Sequence, residues 1–284
     1  MTALHWLVPW EASPTTAIAF ASLAVLYFLG ASKQQVAGLR QACFWLGFAF
    51  LYVALHTQLD YYSEHEFFVH RLQHLVLHHL GPFLVALSHP GPVLRAGVPL
   101  DLRVRALRPI ERSAPVRSLF GLLLNPVVAP LLFVGLIYFW LWPTVHFDAM
   151  LDVRLYRIMN WSMAVDGLMF WWLILDRRPR PPARLAPGYR VLLPLLVMIP
   201  QIVLGAYLTF THRDLYPVYA VCGRALGGIT ASTDQSLGGL ITWIPSSMMS
   251  VIAALIAMRN WLFVDAQRHR KAVRTGAHAV RPLT

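Results

Sequence analysis

The segment HEFFVHRLQHLVLHH carries His65, His70, His74, His78 and His79 among otherwise mostly apolar residues. His70, His74 and His78 recur every four residues, so on a helix they form one stripe. Two imidazoles at that spacing can reach one metal ion, and neutral imidazole suits copper far better than magnesium or calcium. His65 precedes the stripe and joins His70, His74 and His78 as a candidate metal ligand. A second chemistry fits the same residue type. Two histidines from different helices can hold a b-type haem axially, as in a membrane electron carrier.

Asp166 is the other unusual residue, because an ionised carboxylate inside an apolar stretch needs a partner. Its expected partner is His78 or His79, with the carboxylate orienting a ligand from behind or passing a proton. The alternative is a protonated Asp166 bonded to a neighbouring backbone. Further polar groups, His56, Gln58, Asp60, Glu64, His146, Asp148, His212, Asp214, Asp234 and Gln235, fall in segments that flank the apolar runs. Asp60, Asp234 and Gln235 are candidates for backing the ligands or relaying protons. Met159, Met163, Met169, Met198, Met248 and Met249 offer soft thioethers for cuprous copper, although Met in an apolar run usually packs.

The elements that must position these residues are membrane helices. The chain of 284 residues is 57% hydrophobic and only 13% charged, where a soluble domain carries about 25% charged residues. Apolar runs predict an all-α transmembrane bundle of about seven spans, at 15–31, 40–58, 66–88, 125–142, 155–175, 191–210 and 237–263. Asn125-Pro126 and Trp142-Pro143 bracket the fourth, and GGIT and LGGL are small-residue patches that favour close helix packing. Of the 24 Lys and Arg, all but Arg71, Arg154, Arg157, Arg213 and Arg224 fall on one side. That bias predicts an outside N-terminus and a cytoplasmic C-terminus. The organisation is then a periplasmic segment 1–14, a transmembrane domain 15–263 and a basic cytoplasmic tail 264–284.

The net charge of +11 is on this view a consequence of topology and of contact with anionic lipid headgroups, not of nucleic-acid binding. Gly91–Ser118 and RRPRPPAR (Arg177–Arg184) are expected as basic surface loops. Cys43 and Cys222 fall near opposite faces, which argues against a disulfide. There is no Walker loop, no Ser-His-Asp arrangement and no CxxCH, so an enzyme is not expected.

LDYYSEHEFFVHRLQHLVLHHLGPFLVALSHPG resembles the histidine segment of the CtaG family of cytochrome c oxidase assembly factors. Leu59-Asp60, His70, Gln73, His74 and Pro82 match its pattern. NPVVAPLLFVGLIYFWLWP with GLMFWWLILD, and LGAYLTFTHRDLYPVYA with TDQSLGGLITWIPSSMM, are similar to its later spans. Asp234, Gln235, Gly238, Gly239, Trp243 and Pro245 carry the last match. The resemblance implies a multi-pass protein of the bacterial inner membrane. It would help deliver copper to a haem-copper oxidase, with an oxidase subunit or a periplasmic copper chaperone as partner and Gln73 behind the ligands. The competing readings are the b-type haem protein and a copper transporter. The chain departs from the family in two places. A W-H-x-P context reads Trp140-Leu141-Trp142-Pro143, and an H-x-x-E-H motif aligns with Tyr156, Met159 and Asn160. Either His65, His78, His146 or His212 completes the sphere, or metal is bound differently or not at all.

Overall fold

The computed structural model describes residues 8–178 and 180–274, and among these the chain is helical without a strand. Helix α1 (Pro14–Lys33) opens with the Ser13 side chain accepting from the Thr16 amide and Pro14 in its first turn, both standard helix-starting devices. Then come α2 (Gly38–His56) and the short α3 (Gln58–His65). Helix α4 (Phe67–His74) runs through a π-helical turn, Leu75–Leu80, into α5 (Gly81–Ser88). The π turn has a local cause. Pro82 has no N–H to give the carbonyl of His78 and its ring crowds that carbonyl. The Gly81 amide instead reaches back five residues to Val76.

Four short helices follow, α6 (Gly91–Gly97), α7 (Leu100–Leu102), α8 (Arg108–Arg112) and α9 (Ala114–Leu123). Gly91–Ser118 was expected as a loop. Pro92, Pro109 and Pro115 stand in first turns there, so proline divides the helix into pieces and does not abolish it. The remaining helices are α10 (Val128–Leu141), α11 (Pro143–Leu151), α12 (Val153–Leu175), α13 (Pro187–Phe210), α14 (Val218–Cys222) and α15 (Ala231–Arg274).

Helices α1, α2, α12, α13 and α15 are each long and apolar enough to cross a membrane, with a sixth span if α9 and α10, bent by 70°, count as one. Within the expected span 125–142 the helix itself has 14 residues, Val128–Leu141. Asn125 caps the amides of Val127 and Val128, and Pro126 prevents continuation from α9. Helix α15 continues into the expected tail as far as Arg274. Residues 275–284 of that tail, and 1–7 of the expected N-terminal segment, lie outside the described residues.

The run 67–88 is the central element, packed against α2, α12 and α15. One apolar cluster, with Phe67, Trp140, Met159 and Tyr219, surrounds its first half, and a second, with Phe83, Phe133, Phe170 and Trp171, surrounds its second half. Large apolar side chains such as Phe28, Leu131, Val203 and Phe210 point outward and are exposed. Water would not tolerate that surface over several helices, and a bilayer accepts it. Cys43 and Cys222 are both free thiols.

Candidate metal centre

The run 67–88 buries all four of its imidazoles. His70, His74, His78 and His79 are at most 3% exposed. Helix α4 is anchored at its start by Asp234, which accepts from the amides of Phe67 and Phe68 and pairs with Arg224. A carboxylate on exposed amides at a helix N-terminus is favourable. Gln235 likewise accepts from the Leu215 amide and donates to carbonyls at the end of α13, Thr211 among them. Asp234 and Gln235, expected to back ligands or relay protons, thus serve helix ends and do not touch the imidazoles.

His70 and His74 lie one turn apart with rings tilted by 39° and centroids 4.3 Å apart, and His146 from α11 approaches His70 to 5.1 Å. Their commitments differ. Neither ring nitrogen of His70 has a partner. His74 donates through Nε2 to Asn160 Oδ1 at 3.1 Å and leaves Nδ1 open. His146 is used up, with Nδ1–H donating to the Trp140 carbonyl at 3.0 Å and Nε2 accepting from the Tyr219 hydroxyl at 2.9 Å. Each buried, unpaired polar atom costs about 1–3 kcal/mol; His78 and His79 also leave Nδ1 open, and His70 stands out with two open nitrogens beside that of His74. A metal ion between His70 and His74 would fit their chemistry.

Behind this pair stands a fixed polar group. Asp60 accepts from Gln73 Nε2 and from the Tyr156 hydroxyl, both at 2.7 Å, and Gln73 also donates to the Ala54 carbonyl. Asp60 and Gln73 therefore do lie next to the histidine helix, although they hold Tyr156 and not an imidazole. Burial pushes the Asp60 carboxyl up to about 6 and that of its neighbour Glu64 up to about 7.

Deeper along the run the pattern changes. Asp166 pairs with His78 Nε2 at 3.1 Å, one of its two expected partners. His79 donates to Gln201 Oε1 at 3.0 Å, and Gln201 Nε2 donates to Val197, which fixes the amide's orientation. The π turn produces this. On a regular helix His79 would point away from the stripe, but the wider turn brings His74, His78 and His79 to line one narrow seam, with Met163 opposite. The carbonyl of His78, released by Pro82, accepts from the Trp171 indole at 3.1 Å. A Cβ at Gly167 would run into the same carbonyl. Sequence reasoning with α periodicity missed His79 and Gln201 as a pair; Pro82 four residues after His78 was the available signal.

A family model for the cytochrome c oxidase caa3 assembly factor matches residues 23–263. The chain belongs to that family. It is also 29% identical over 228 residues to the uncharacterized protein ML1998 of Mycobacterium leprae (strain TN), covering 77% of this chain and 33% of the relative. The chain thus spans about a third of the length of the curated relative it matches. No solved structure matches it.

The other expected ligands of this caa3 assembly-factor family member are not drawn together. His65 is held by the Tyr61 carbonyl at 2.7 Å, and His212 is exposed in the loop after α13. Met248 is 61% exposed on an outward face, and Met249 packs in the second apolar cluster. Among the described residues, no three His, Cys, Asp or Glu side chains form a group that could hold a metal ion. His70 and His74 remain as neighbouring imidazoles with open nitrogens, and two donors of that kind would fit an ion of low coordination number.

Proposed function

We propose that this chain handles copper during assembly of a haem-copper cytochrome c oxidase and is not an enzyme. The observation that carries the reading is His70, fully buried with both ring nitrogens unpaired beside the open Nδ1 of His74. Two neutral imidazoles with no carboxylate among them suit cuprous copper, which accepts few and soft ligands. The family supports the assembly role. The run 67–88, with the lengths of the other helices, supports seven spans. The arginine bias supports an outside N-terminus, with α3, α11 and α14 at the outer face of a bacterial inner membrane. His70 and His74 then lie within reach of a periplasmic copper chaperone or an oxidase subunit. The cytoplasmic arginines meet anionic lipid headgroups.

The haem alternative is less well supported. The seam beside His74, His78 and His79 has no room even for a water molecule, and its imidazoles come from one helix. Protein purified in detergent and loaded with cuprous ion under reducing conditions tests the reading. Wild type should keep copper through desalting and His70→Ala/His74→Ala should lose it, with no Soret band in either. Equal copper in both proteins removes the proposal.

A further inference from the structure

The histidine helix carries a cation that the site so far leaves unused. Arg71 follows His70 and is 4% exposed. Its Nε donates to Thr242 Oγ1 at 2.9 Å, and Thr242 in turn donates to the Gly238 carbonyl. Gly238 is the space that admits it, because a Cβ there would meet the Phe67 ring and the Arg71 side chain. Among the described residues no carboxylate lies within ion-pair distance of Arg71. The nearby acids are committed elsewhere. Glu66 and Asp234 are paired with Arg224, Asp60 accepts from Tyr156 and Gln73, and Asp166 is on His78.

A buried guanidinium normally has a counter-charge. Arg71 lines the same seam as His74 and His78. With no carboxylate of the described residues paired to it, its charge acts on whatever binds at the adjacent imidazoles. Its repulsion scales with the charge of the bound ion. Whatever factor it takes from the affinity for a monovalent ion, it takes the square of that factor from a divalent one. The absence of a third protein ligand works in the same direction, since zinc requires about four.

We infer that Arg71 makes the His70–His74 site selective for a monovalent soft cation, and excludes divalent metals by charge. The inference rests on the copper reading for its site. It adds which residue sets the charge of the ion that the site accepts.

The test uses silver ion, a monovalent probe that does not change oxidation state, and zinc ion, each titrated against a competing chelator into detergent-purified protein. Wild type should bind silver in a His70- and His74-dependent way and zinc at least about 100-fold more weakly. Arg71→Gln should strengthen zinc binding by about the square of its effect on silver, for instance about 100-fold against about 10-fold. Arg71→Lys should leave both within about threefold, because it keeps the charge. If Arg71→Gln changes both ions by one common factor, or changes neither, the selectivity inference falls while the copper reading stands. If wild type binds neither ion, or binds them without His70 and His74, the copper reading falls and takes the inference with it. Should Arg71→Gln not fold, wild type alone decides, since zinc binding as tight as silver binding overturns the inference.

Discussion

His70 and His74 lie on a regular α-helix, and His78 and His79 on the π turn that continues it. All four are buried to the same degree, yet they are built differently. His78 and His79 each give Nε2 to a side chain on another helix, Asp166 on α12 and Gln201 on α13. His70 gives nothing to anything. The deeper pair ties three helices together through those bonds, although each of its imidazoles leaves Nδ1 unpaired, as His74 does. The upper pair, with His146 closed off by Trp140 and Tyr219, differs in His70, which keeps both ring nitrogens unpaired in a place where that is costly. With His70 setting the upper pair apart, the four histidines divide into a proposed ligand pair and a pair bonded to other helices, on either side of a proline-induced change of helix.

The most severe test of this division compares alanine variants of the two pairs. His70→Ala should weaken cuprous binding by about 100-fold or more, since one of two ligands is lost (second-sphere changes alone cost about 10–100-fold). His79→Ala, measured by the same chelator competition, should weaken it by less than about threefold while lowering Tm. The reverse ranking would make the deeper pair the metal site.

The support of the upper pair gives the next largest effect. The Asp60 carboxyl is pushed up to about 6 by burial, above its ordinary 3.8. The folded chain therefore prefers the protonated acid. Stability is fully present at pH below the ordinary value and is lost as pH rises through about 6. The loss is at most about 3 kcal/mol, by the free-energy equivalent of that shift. Glu64, pushed up to about 7, acts in the same direction at slightly higher pH. Tm in detergent should fall between pH 4.5 and 7.5. Asp60→Asn should remove the lower part of that fall and Glu64→Gln the upper part. A Tm that rises over this interval would contradict the burial of Asp60.

How much of this was legible depends on which physical rule each feature obeys. The stripe His70–His74 follows α periodicity, and charge asymmetry and apolar runs follow bilayer physics, so the sequence carries both directly. Asp166 announced itself by being an acid in an apolar run, and finding His78 opposite it needed only a depth estimate. The roles of Asp234 and Gln235 were not legible, because a side chain that caps another segment's end looks in sequence like any polar residue near a site. His79 was hidden by the assumption of a regular helix. Nothing in its spacing marks the π turn, and only Pro82 does so. The prolines after Gly91 misled in the opposite direction, reading as loop where they start helices.

The packing of α12 on the π turn gives the third test. Gly167 lies against the His78 carbonyl, where a Cβ has no room. Gly167→Ala should cost about 1–3 kcal/mol of stability as an overpacking change, seen as a lower Tm. Copper affinity of the folded fraction should stay unchanged. Loss of affinity in step with stability would show that the two pairs are coupled.

Asp166→Asn should have the smallest effect and draws the sharpest line. Asn keeps a carbonyl oxygen at the position of the carboxylate, so it can still accept from His78 Nε2–H, and the change should cost about 1 kcal/mol or less. Asp166→Leu keeps the bulk and removes the acceptor, leaving a buried N–H unpaired at about 1–3 kcal/mol. If Asp166 serves only to hold His78, the two variants should separate in Tm by that difference and agree in cuprous affinity. A carboxylate that also tuned a bound ion or passed a proton would show itself differently. Asn would then lose copper affinity or its pH dependence while keeping Tm, and the deeper pair would belong to the same functional unit as His70 and His74.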